Sequence, residues 1–343
     1  MFVQENVPLA PLTTFRVGGM ARYFITIKST HDLNKSVTFS KEMGLPIFVL
    51  GGGSNVLVDD AGWPGVVLHI ALRGISFEER GEIVYATVSA GESWDSFVAT
   101  TVKYGLWGIE NLSGIPGTTG AAPIQNIGAY GVDVSHHIEW IEAYDCKHEE
   151  VVRFSNNECR FAYRDSFFKT SEGKRYIVTR LCFRLSRVAR PNTSYPGISA
   201  YVDATPLDNL TPDDMRTVIL AIRRGKFPDL SRIGTAGSFF KNPVISEAEY
   251  NDLLSKFPDI HIYKIDNSQI KIPLAWLLDR LGWKGVCEGD VCAFEKQPLI
   301  IINRGGASAK EVKKFAGMIV EDVHKKTGIK IVPEVIYVAD EQQ

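Results

Sequence analysis

Cysteine is scarce in this chain, and no two cysteines have the spacing of a paired metal or redox motif. The 343 residues include five cysteines, an odd number, and none of them forms a CxxC pair. This argues against a zinc ribbon and against a framework of disulfide bonds. The seven histidines include no HExxH pattern or other paired ligand spacing, so we expect no metal site. The cysteines are at positions 146, 159, 182, 287 and 292.

The chain also lacks a charge excess and a long apolar run. Lys and Arg total 38 and Asp and Glu total 40, which gives a formal net charge of −2. No overall field therefore attracts nucleic acid or a membrane surface, and no basic cluster with interleaved aromatics is present. No apolar run is long enough to span a bilayer, and residues 1–15 lack the order of a signal peptide. We therefore expect a cytoplasmic protein that has neither nucleic acid nor a membrane as its partner.

The commonest phosphate-binding motifs are absent as well. No GxxxxGK[ST] occurs, and the GGGSN loop at 51–55 is followed by a strand, whereas a dinucleotide fingerprint opens a helix. A second stretch, 111–131, holds five glycines and no charged side chain. Such a stretch suits a backbone cradle for a large anion, because glycine permits close approach and successive N–H groups bind anions. A structural loop at 111–131 and a tight hairpin at 51–55 are the alternatives.

Strand and helix patterns are mixed without a regular βαβ cadence, which predicts an α+β fold. Apolar periodicity and capping residues define the helices, and short apolar or alternating runs define the strands. The predicted helices cover 30–43 and 274–281, start at Ser93, Thr211 and Ser246, and run from Ser308 to Gly328. The predicted strands are 21–28, 46–50, 56–58, 66–72, 83–90, 138–145, 149–154, 176–185 and 329–338.

Three isolated polar residues are candidates for chemistry. Ser238, in GSFFKNP, could donate a proton if a better acid resupplies it, and a turn serine is the alternative. Glu334 lies in the apolar run IVPEVIYV, where burial would keep it protonated, and an edge strand with the carboxylate in water is the alternative. Arg164, in RFAYRDSFF, could pair with a substrate carboxylate, and a local salt bridge with Asp165 or Glu158 is the alternative.

Seven motifs, in order along essentially the whole chain, resemble those of the UDP-N-acetylenolpyruvoylglucosamine reductase family, which makes UDP-N-acetylmuramate for peptidoglycan. The segment SYPGIS around Tyr195 resembles the tyrosine-bearing loop of the type I form of that family. The seven motifs are TTFRVGG (13–19), GGGSNVLV (51–58), GIPGTTGAAPIQNIGAYG (114–131), FAYRDSFFK (161–169), GTAGSFFKNP (234–243), EKQPLIIINR (295–304) and PEV (333–335).

The resemblance implies a vanillyl-alcohol-oxidase-type FAD-binding fold of two α+β subdomains, 1–70 and 71–210, with a third, substrate-binding α+β domain at 211–328. Segment 329–343 returns either to the first subdomain or to the active site. The resemblance implies noncovalent binding of FAD, with which the sequence agrees because GGGSN offers no His or Cys for attachment, and we expect a monomer. The implied FAD contacts are Gly51, Gly52, Gly53, Ser54, Asn55, Ile115, Pro116, Gly117, Thr118, Gly120, Ala121, Gln125, Asn126, Gly128, Ala129, Tyr130 and Gly131.

The resemblance also implies a reaction, in which NADPH reduces FAD and hydride then passes to the enol ether of UDP-N-acetylglucosamine enolpyruvate. Arg164 and Glu334 match the residues that stabilise the developing negative charge, and Ser238 matches the proton donor. A flavin oxidase of a small alcohol or sugar, and a colourless nucleotide-sugar-binding protein, are the alternative functions. The implied substrate contacts, for which a turn aromatic and solvated lysines are the alternatives, are Tyr195, Lys226, Asn242, Lys284 and Gln297.

Overall fold

The computed structural model describes residues 1–202, 209–265 and 268–339, and the chain divides into two compact units. Each unit is assembled from three separate segments of the chain. None of the described helices is long and apolar enough to cross a membrane. The three-domain boundaries given above stay a prediction. The first unit consists of Met1–Val7, Ala21–Gly52 and Pro64–Arg224, and the second of Pro8–Met20, Gly53–Trp63 and the described residues from Gly225 onward.

Most helices begin and end at the residues that the sequence predicts. The side chain of Ser29 accepts a hydrogen bond from the Asp32 N–H at the start of the first helix, and Gly44 ends that helix with φ +62°. Ser246 and Ser308 begin two later helices with capping boxes. The helices are α1 (Thr30–Met43), α2 (Trp94–Lys103), α3 (Pro196–Val202), α4 (Pro212–Lys226), α5 (Glu247–Lys256), α6 (Leu274–Arg280) and α7 (Ala309–Thr327).

The strands are mostly short and antiparallel. In chain order, they are β1 (Val3–Pro8), β2 (Met20–Ile27), β3 (Ile47–Leu50), β4 (Val56–Val58), β5 (Trp63–Ile70), β6 (Ile75–Arg80), β7 (Ile83–Ser89), β8 (Gly128–Ala129), β9 (Val132–Asp133), β10 (Ile138–Asp145), β11 (Glu150–Ser155), β12 (Tyr176–Ser186), β13 (Gly234–Ser238), β14 (Val244–Ser246), β15 (Tyr263–Lys264), β16 (Gln269–Lys271), β17 (Cys287–Glu288), β18 (Val291–Phe294), β19 (Gln297–Asn303) and β20 (Ile336–Val338).

The first unit is built on two sheets. A five-stranded antiparallel sheet has the order β11-β10-β12-β7-β6, and a four-stranded sheet has the order β1-β2-β5-β3, with β3 parallel to β5. Helix α2 packs its apolar face into the core, where the rings of Phe97 and Phe183 lie 5.1 Å apart and Trp94 lies against both. The short hairpin β8–β9 falls within and just after the glycine-rich stretch 111–131. The mixed elements confirm the α+β prediction.

The second unit has its own sheets and its own core. An antiparallel sheet has the order β13-β19-β18-β17, a smaller one has the order β14-β16-β15, and β4 pairs in parallel with β20. Helix α7 buries one face, including Phe315 and Ile319, together with Leu277 of α6 and Ile301 of β19. The i, i+3, i+4 spacing of these apolar residues explains why the two helices lie on the sheet.

Two expectations need correction in the second unit. A strand is predicted over 329–338, but the observed strand β20 covers only Ile336–Val338. Pro333 has no N–H to donate to a ladder, and it forms only an isolated bridge with Phe240. The odd number and scattered positions of the cysteines argue against a framework of disulfide bonds, yet one pair, Cys287 and Cys292, forms a disulfide across the β17–β18 hairpin. The two cysteines are five residues apart and lie opposite each other only because the chain turns at Gly289. No spacing motif in the sequence therefore predicts the pair.

Candidate active site

The two glycine-rich loops meet in the first unit. A Cβ atom added to Gly51 would lie 2.5 Å from the Thr118 hydroxyl oxygen, and one added to Gly52 would lie 2.8 Å from the Gly117 Cα. Carbon atoms in contact are ordinarily about 3.5–4.0 Å apart, so neither position has room for a side chain. Gly52 therefore serves the close packing of two backbones, Gly51 packs against the Thr118 side chain, and the structure brings the two predicted FAD loops together. All the predicted FAD contacts except Gly53, Ser54 and Asn55 lie in the first unit.

Few backbone N–H groups remain unused where these loops meet. Thr119 and Gly120 each donate, at 2.9 Å, to carbonyl groups just beyond β7, so their N–H groups are occupied by the fold. Unpaired N–H groups at adjoining glycine turns are donors of the kind that holds phosphate oxygens. The site thus fits the diphosphate of FAD. Fewer backbone N–H groups are available to bind it than the glycine-rich sequence suggests, because those of Thr119 and Gly120 are already bonded. In this part of the described chain, the N–H groups without an acceptor include those of Gly51, Gly52, Gly117 and Thr118.

Asn55 connects the GGGSN loop to the segment that carries Glu334. Its side-chain Nδ2 donates to the Glu334 carbonyl at 3.3 Å, and its own carbonyl accepts the Ile336 N–H at 3.0 Å. The parallel β4–β20 ladder then begins, with Val56 opposite Ile336. Sequence reasoning assigned Asn55 to the cofactor alone, because nothing in a local motif reveals a contact 279 residues away.

Ser238 and Glu334 lie on adjacent pieces of backbone in the second unit. Ser238 pairs with Ile300 of β19, and the carbonyl of the next residue, Phe239, accepts the Glu334 N–H at 2.8 Å. The Glu334 backbone is therefore bonded on both sides, to Phe239 and to Asn55, and its side chain is half-buried. The alternative of an open edge strand does not describe this arrangement. The structure brings two of the three predicted catalytic residues together.

Arg164 lies against the glycine-rich stretch 111–131 in the first unit. Its guanidinium donates to the Asn126 carbonyl at 3.3 Å and to the Gly128 carbonyl, and it lies 3.6 Å from the Asp133 carboxylate. The side chain is 17% exposed, and the backbone has φ +52°, which is uncommon outside glycine. Glu158, one of the two acids proposed for a local salt bridge, instead accepts hydrogen bonds from Ser155. Arg164 thus has a fixed charge beside the predicted cofactor loop.

Tyr195 contacts the same stretch through another aromatic residue. Its ring lies 5.1 Å from the Tyr130 ring in an edge-to-face arrangement, at the start of α3. Burial raises the pKa of the Tyr130 hydroxyl, and the nearby Arg223 guanidinium opposes that rise. Tyr130 and Tyr195 also join a small apolar cluster with Ile219 of α4. A predicted FAD contact and a predicted substrate contact are therefore neighbours.

Comparisons with known proteins now bear on this site. The family model described as "UDP-N-acetylenolpyruvoylglucosamine reductase, C-terminal domain" matches residues 229–338, and the model described as "FAD binding domain" matches residues 21–155. The UDP-N-acetylenolpyruvoylglucosamine reductase of Ralstonia nicotianae is 38% identical over 340 residues, which cover 98% of this chain and 99% of that protein. The protein of the same name from Paraburkholderia xenovorans is 40% identical over 332 residues, 95% of each chain.

The chain belongs to the UDP-N-acetylenolpyruvoylglucosamine reductase family. The crystal structure of that reductase from Thermus caldophilus has a TM-score of 0.70 at 24% identity, and the match covers 98% of this chain and 100% of that one. With the FAD-binding family model, it confirms the predicted FAD-binding fold. The enzyme is an FAD-dependent oxidoreductase that reduces UDP-N-acetylglucosamine enolpyruvate in peptidoglycan synthesis, which removes the colourless binding protein and the flavin oxidase as alternatives.

The other predicted substrate contacts of this reductase lie in the second unit. The Asn242 Oδ1 accepts the Leu274 N–H at 3.0 Å and so holds the start of α6. Lys284 forms an exposed ion pair with Asp279 at 3.3 Å. Lys226 is the last residue of α4, and Gln297 is the first residue of β19. Their roles toward substrate stay predictions.

Sequence reasoning missed a polar clamp on the glycine-rich stretch of this reductase. The Asp95 carboxylate forms two hydrogen bonds with the Arg216 guanidinium, at 2.6 and 2.9 Å, and it also accepts the Gly114 N–H at 2.5 Å. Arg223 donates from Nε to the Gly114 carbonyl at 3.0 Å, and its burial lowers its pKa. The two arginines are seven residues apart on one face of α4, which is the only sequence signal that these side chains offer.

Proposed function

We propose that NADPH supplies the hydride for reduction of UDP-N-acetylglucosamine enolpyruvate to UDP-N-acetylmuramate, and that Arg164, Glu334 and Ser238 do the chemistry the protein must provide. The observation that carries the proposal is the backbone pairing that sets Ser238 beside Glu334, in a chain that belongs to this reductase family. The same proposal places the enzyme in the cytoplasm. It also makes the enzyme a monomer, and size-exclusion chromatography with light scattering checks the molar mass.

The chain's own groups hold the cofactor through its diphosphate. The unused N–H groups of Gly51, Gly52, Gly117 and Thr118 are the donors for that diphosphate. FAD, when bound, supplies the two-electron chemistry of the reaction. The loop carries no acidic side chain that would oppose a diphosphate, since residues 111–131 are uncharged.

The reaction adds a hydride and a proton across the carbon–carbon double bond of the enol ether. Hydride adds to the terminal methylene carbon, so negative charge develops on the neighbouring carbon and its carboxylate. Arg164 suits that charge, because a guanidinium forms paired hydrogen bonds with a carboxylate and remains charged at any ordinary pH. A donor fixed before the reaction stabilises the transition state more than one that must first be ordered.

Ser238 gives its hydroxyl proton to the carbon that carries the developing charge, and so completes the reduced product. A serine hydroxyl is a weak acid, so it needs a fixed position and a neighbouring group that restores its proton. Glu334 is half-buried on the adjacent backbone and acts with Arg164 on the developing charge. This division leaves the reduction of FAD by NADPH independent of Ser238.

Stopped-flow absorbance on the two half-reactions tests the proposal. In Ser238→Ala, NADPH bleaches the flavin at the wild-type rate, whereas reoxidation by the enolpyruvyl substrate falls by about 10²–10⁴. Ser255→Ala, an exposed serine of α5 that only donates to the Asp252 carbonyl, is the matched control and leaves both half-reactions unchanged. A Ser238→Ala enzyme that reoxidises at the normal rate removes Ser238 from the mechanism.

A further inference from the structure

The strand that carries Ser238 contains a β-bulge. Along β13 and β19, Thr235 lies opposite Ile302 and Ser238 lies opposite Ile300. The register therefore advances three residues on β13 and only two on β19, so β13 holds one extra residue. Gly237, immediately before the serine, adopts φ +77°, the left-handed conformation that glycine accepts readily.

The bulge decides which face of the sheet Ser238 occupies. Side chains alternate between the two faces of a strand, so residues three apart ordinarily point to opposite faces. Because Ile300 and Ile302 share a face and directly opposed residues share theirs, Thr235 and Ser238 both lie on that same face. Without the extra residue, the serine hydroxyl would be on the other face.

The Thr235 hydroxyl closes the gap that the bulge opens in the ladder. It donates to the Ile301 carbonyl at 2.7 Å and accepts the Gly237 N–H at 3.2 Å. Thr235 is 2% exposed, so no bulk water replaces these bonds. The Thr235 backbone is also fixed, since its N–H donates to the Thr14 carbonyl at 2.9 Å and its carbonyl accepts the Thr14 hydroxyl at 2.7 Å.

We propose that Thr235 is a positioning residue for Ser238, and that its hydroxyl holds the bulge in the conformation that aims the Ser238 hydroxyl. The inference rests on the proposed proton-donor role of Ser238. Bulges beside active sites commonly re-aim a side chain, and a displacement of about 1 Å at a reacting group costs roughly a hundredfold in rate. Thr235 acts only through the bulge, so it has no part in binding NADPH or in reducing FAD.

The decisive variant is Thr235→Val, which preserves the shape of the side chain and removes both hydroxyl hydrogen bonds. We expect reoxidation by the enolpyruvyl substrate to slow by about ten- to a hundredfold at saturating substrate, with flavin reduction by NADPH unchanged. Thr235→Ser retains the hydroxyl and recovers most of the lost rate. Hydrogen–deuterium exchange of the peptide containing Gly237 increases in Thr235→Val, which is a readout independent of turnover.

Thr327→Val is the matched control. Thr327 is also buried, and its hydroxyl also donates to a carbonyl, of Val323 at 2.6 Å, and accepts an N–H, of Ile329 at 3.1 Å. Loss of this second pair destabilises the protein by a comparable amount and leaves reoxidation unchanged. A general effect of lost stability would instead slow both variants alike.

A double variant separates this inference from the role of Ser238. If Thr235 acts through Ser238, Ser238→Ala combined with Thr235→Val reoxidises no more slowly than Ser238→Ala alone. A normal rate in Thr235→Val, or an additive loss in the double variant, overturns the positioning role while the slow Ser238→Ala enzyme preserves the proton-donor role. A normal rate in Ser238→Ala overturns both.

Discussion

An alanine at position 52 tests whether the meeting of the two glycine loops creates the cofactor site. The added Cβ would lie 2.8 Å from the Gly117 Cα and 3.1 Å from its carbonyl carbon, both of which are backbone atoms. Restoring an ordinary contact of about 3.5 Å requires the loops to separate by roughly 0.7 Å. Overpacking of this kind costs about 1–3 kcal/mol. If the separated loops no longer present their N–H groups together, that cost corresponds to a roughly five- to 150-fold weaker affinity for FAD.

The assay is a titration of flavin-free Gly52→Ala protein with FAD, followed by the quenching of flavin fluorescence. Gly317→Ala is the matched control, because Gly317 lies within α7 and an added Cβ there meets no atom within 4 Å. That variant binds FAD normally and gains about 1 kcal/mol of stability from the better helix propensity of alanine. A Gly52→Ala protein with the wild-type affinity for FAD would refute the assignment of the cofactor site to the contact between these loops.

Two further predictions concern charged groups of the first unit. Arg164→Lys keeps the charge but loses the planar fork, so we expect substrate-driven reoxidation to slow by about 10²–10³ while NADPH still reduces the flavin normally. Arg187→Lys is the control, because the Arg187 side chain forms an exposed ion pair with Glu79. An Arg164→Lys enzyme that reoxidises at the normal rate would contradict the role of Arg164 in stabilising the developing charge. Burial tends to raise the pKa of Asp95, but the hydrogen bonds from Arg216 and from the Gly114 N–H, with the charges of Arg216 and Arg223, together lower the pKa more. A carboxyl group whose pKa is lower in the folded than in the unfolded state stabilises the fold at pH values above its unfolded pKa. The free energy of unfolding therefore falls as the pH drops below about 4. Urea unfolding between pH 3 and pH 7 should show a smaller pH dependence in Asp95→Asn, and an identical dependence would contradict the assignment.

The sequence predicted the bounds of helices well where hydrogen bonds between neighbouring residues determine them. Serine caps determine where α1, α5 and α7 begin, and glycine caps determine where α1 and α7 end, because these residues satisfy backbone groups within one turn of themselves. The glycine loops were recognisable from their composition, and the structure shows that Gly51 and Gly52 have no room for a side chain. The ordered motifs then led from these loops to the correct family.

Features that depend on register or on distant contacts were not predictable in this way. The bulge at Gly237 changes the face of Ser238, but a glycine before a serine is also what an ordinary turn contains. The clamp formed by Asp95 and Arg216 joins residues 121 positions apart, and each of them alone resembles an ordinary surface charge. The predicted strand at 329–338 ran through Pro333, which removes a ladder donor, and the observed strand begins only at Ile336.

The hydrogen bonds of Asn55 help to hold Glu334 and Ser238 in a fixed relation, so we expect the two side chains to act together. Its side chain holds the Glu334 carbonyl, while the Glu334 N–H is held by the carbonyl next to Ser238. Both polar groups of the Glu334 backbone are therefore satisfied by the two segments that also carry the GGGSN loop and the serine. Ordering that is completed during folding does not have to be achieved in the transition state, so the carboxylate and the hydroxyl meet substrate in a fixed relation. Because the two groups act together, removing both should cost less than the sum of the two single losses.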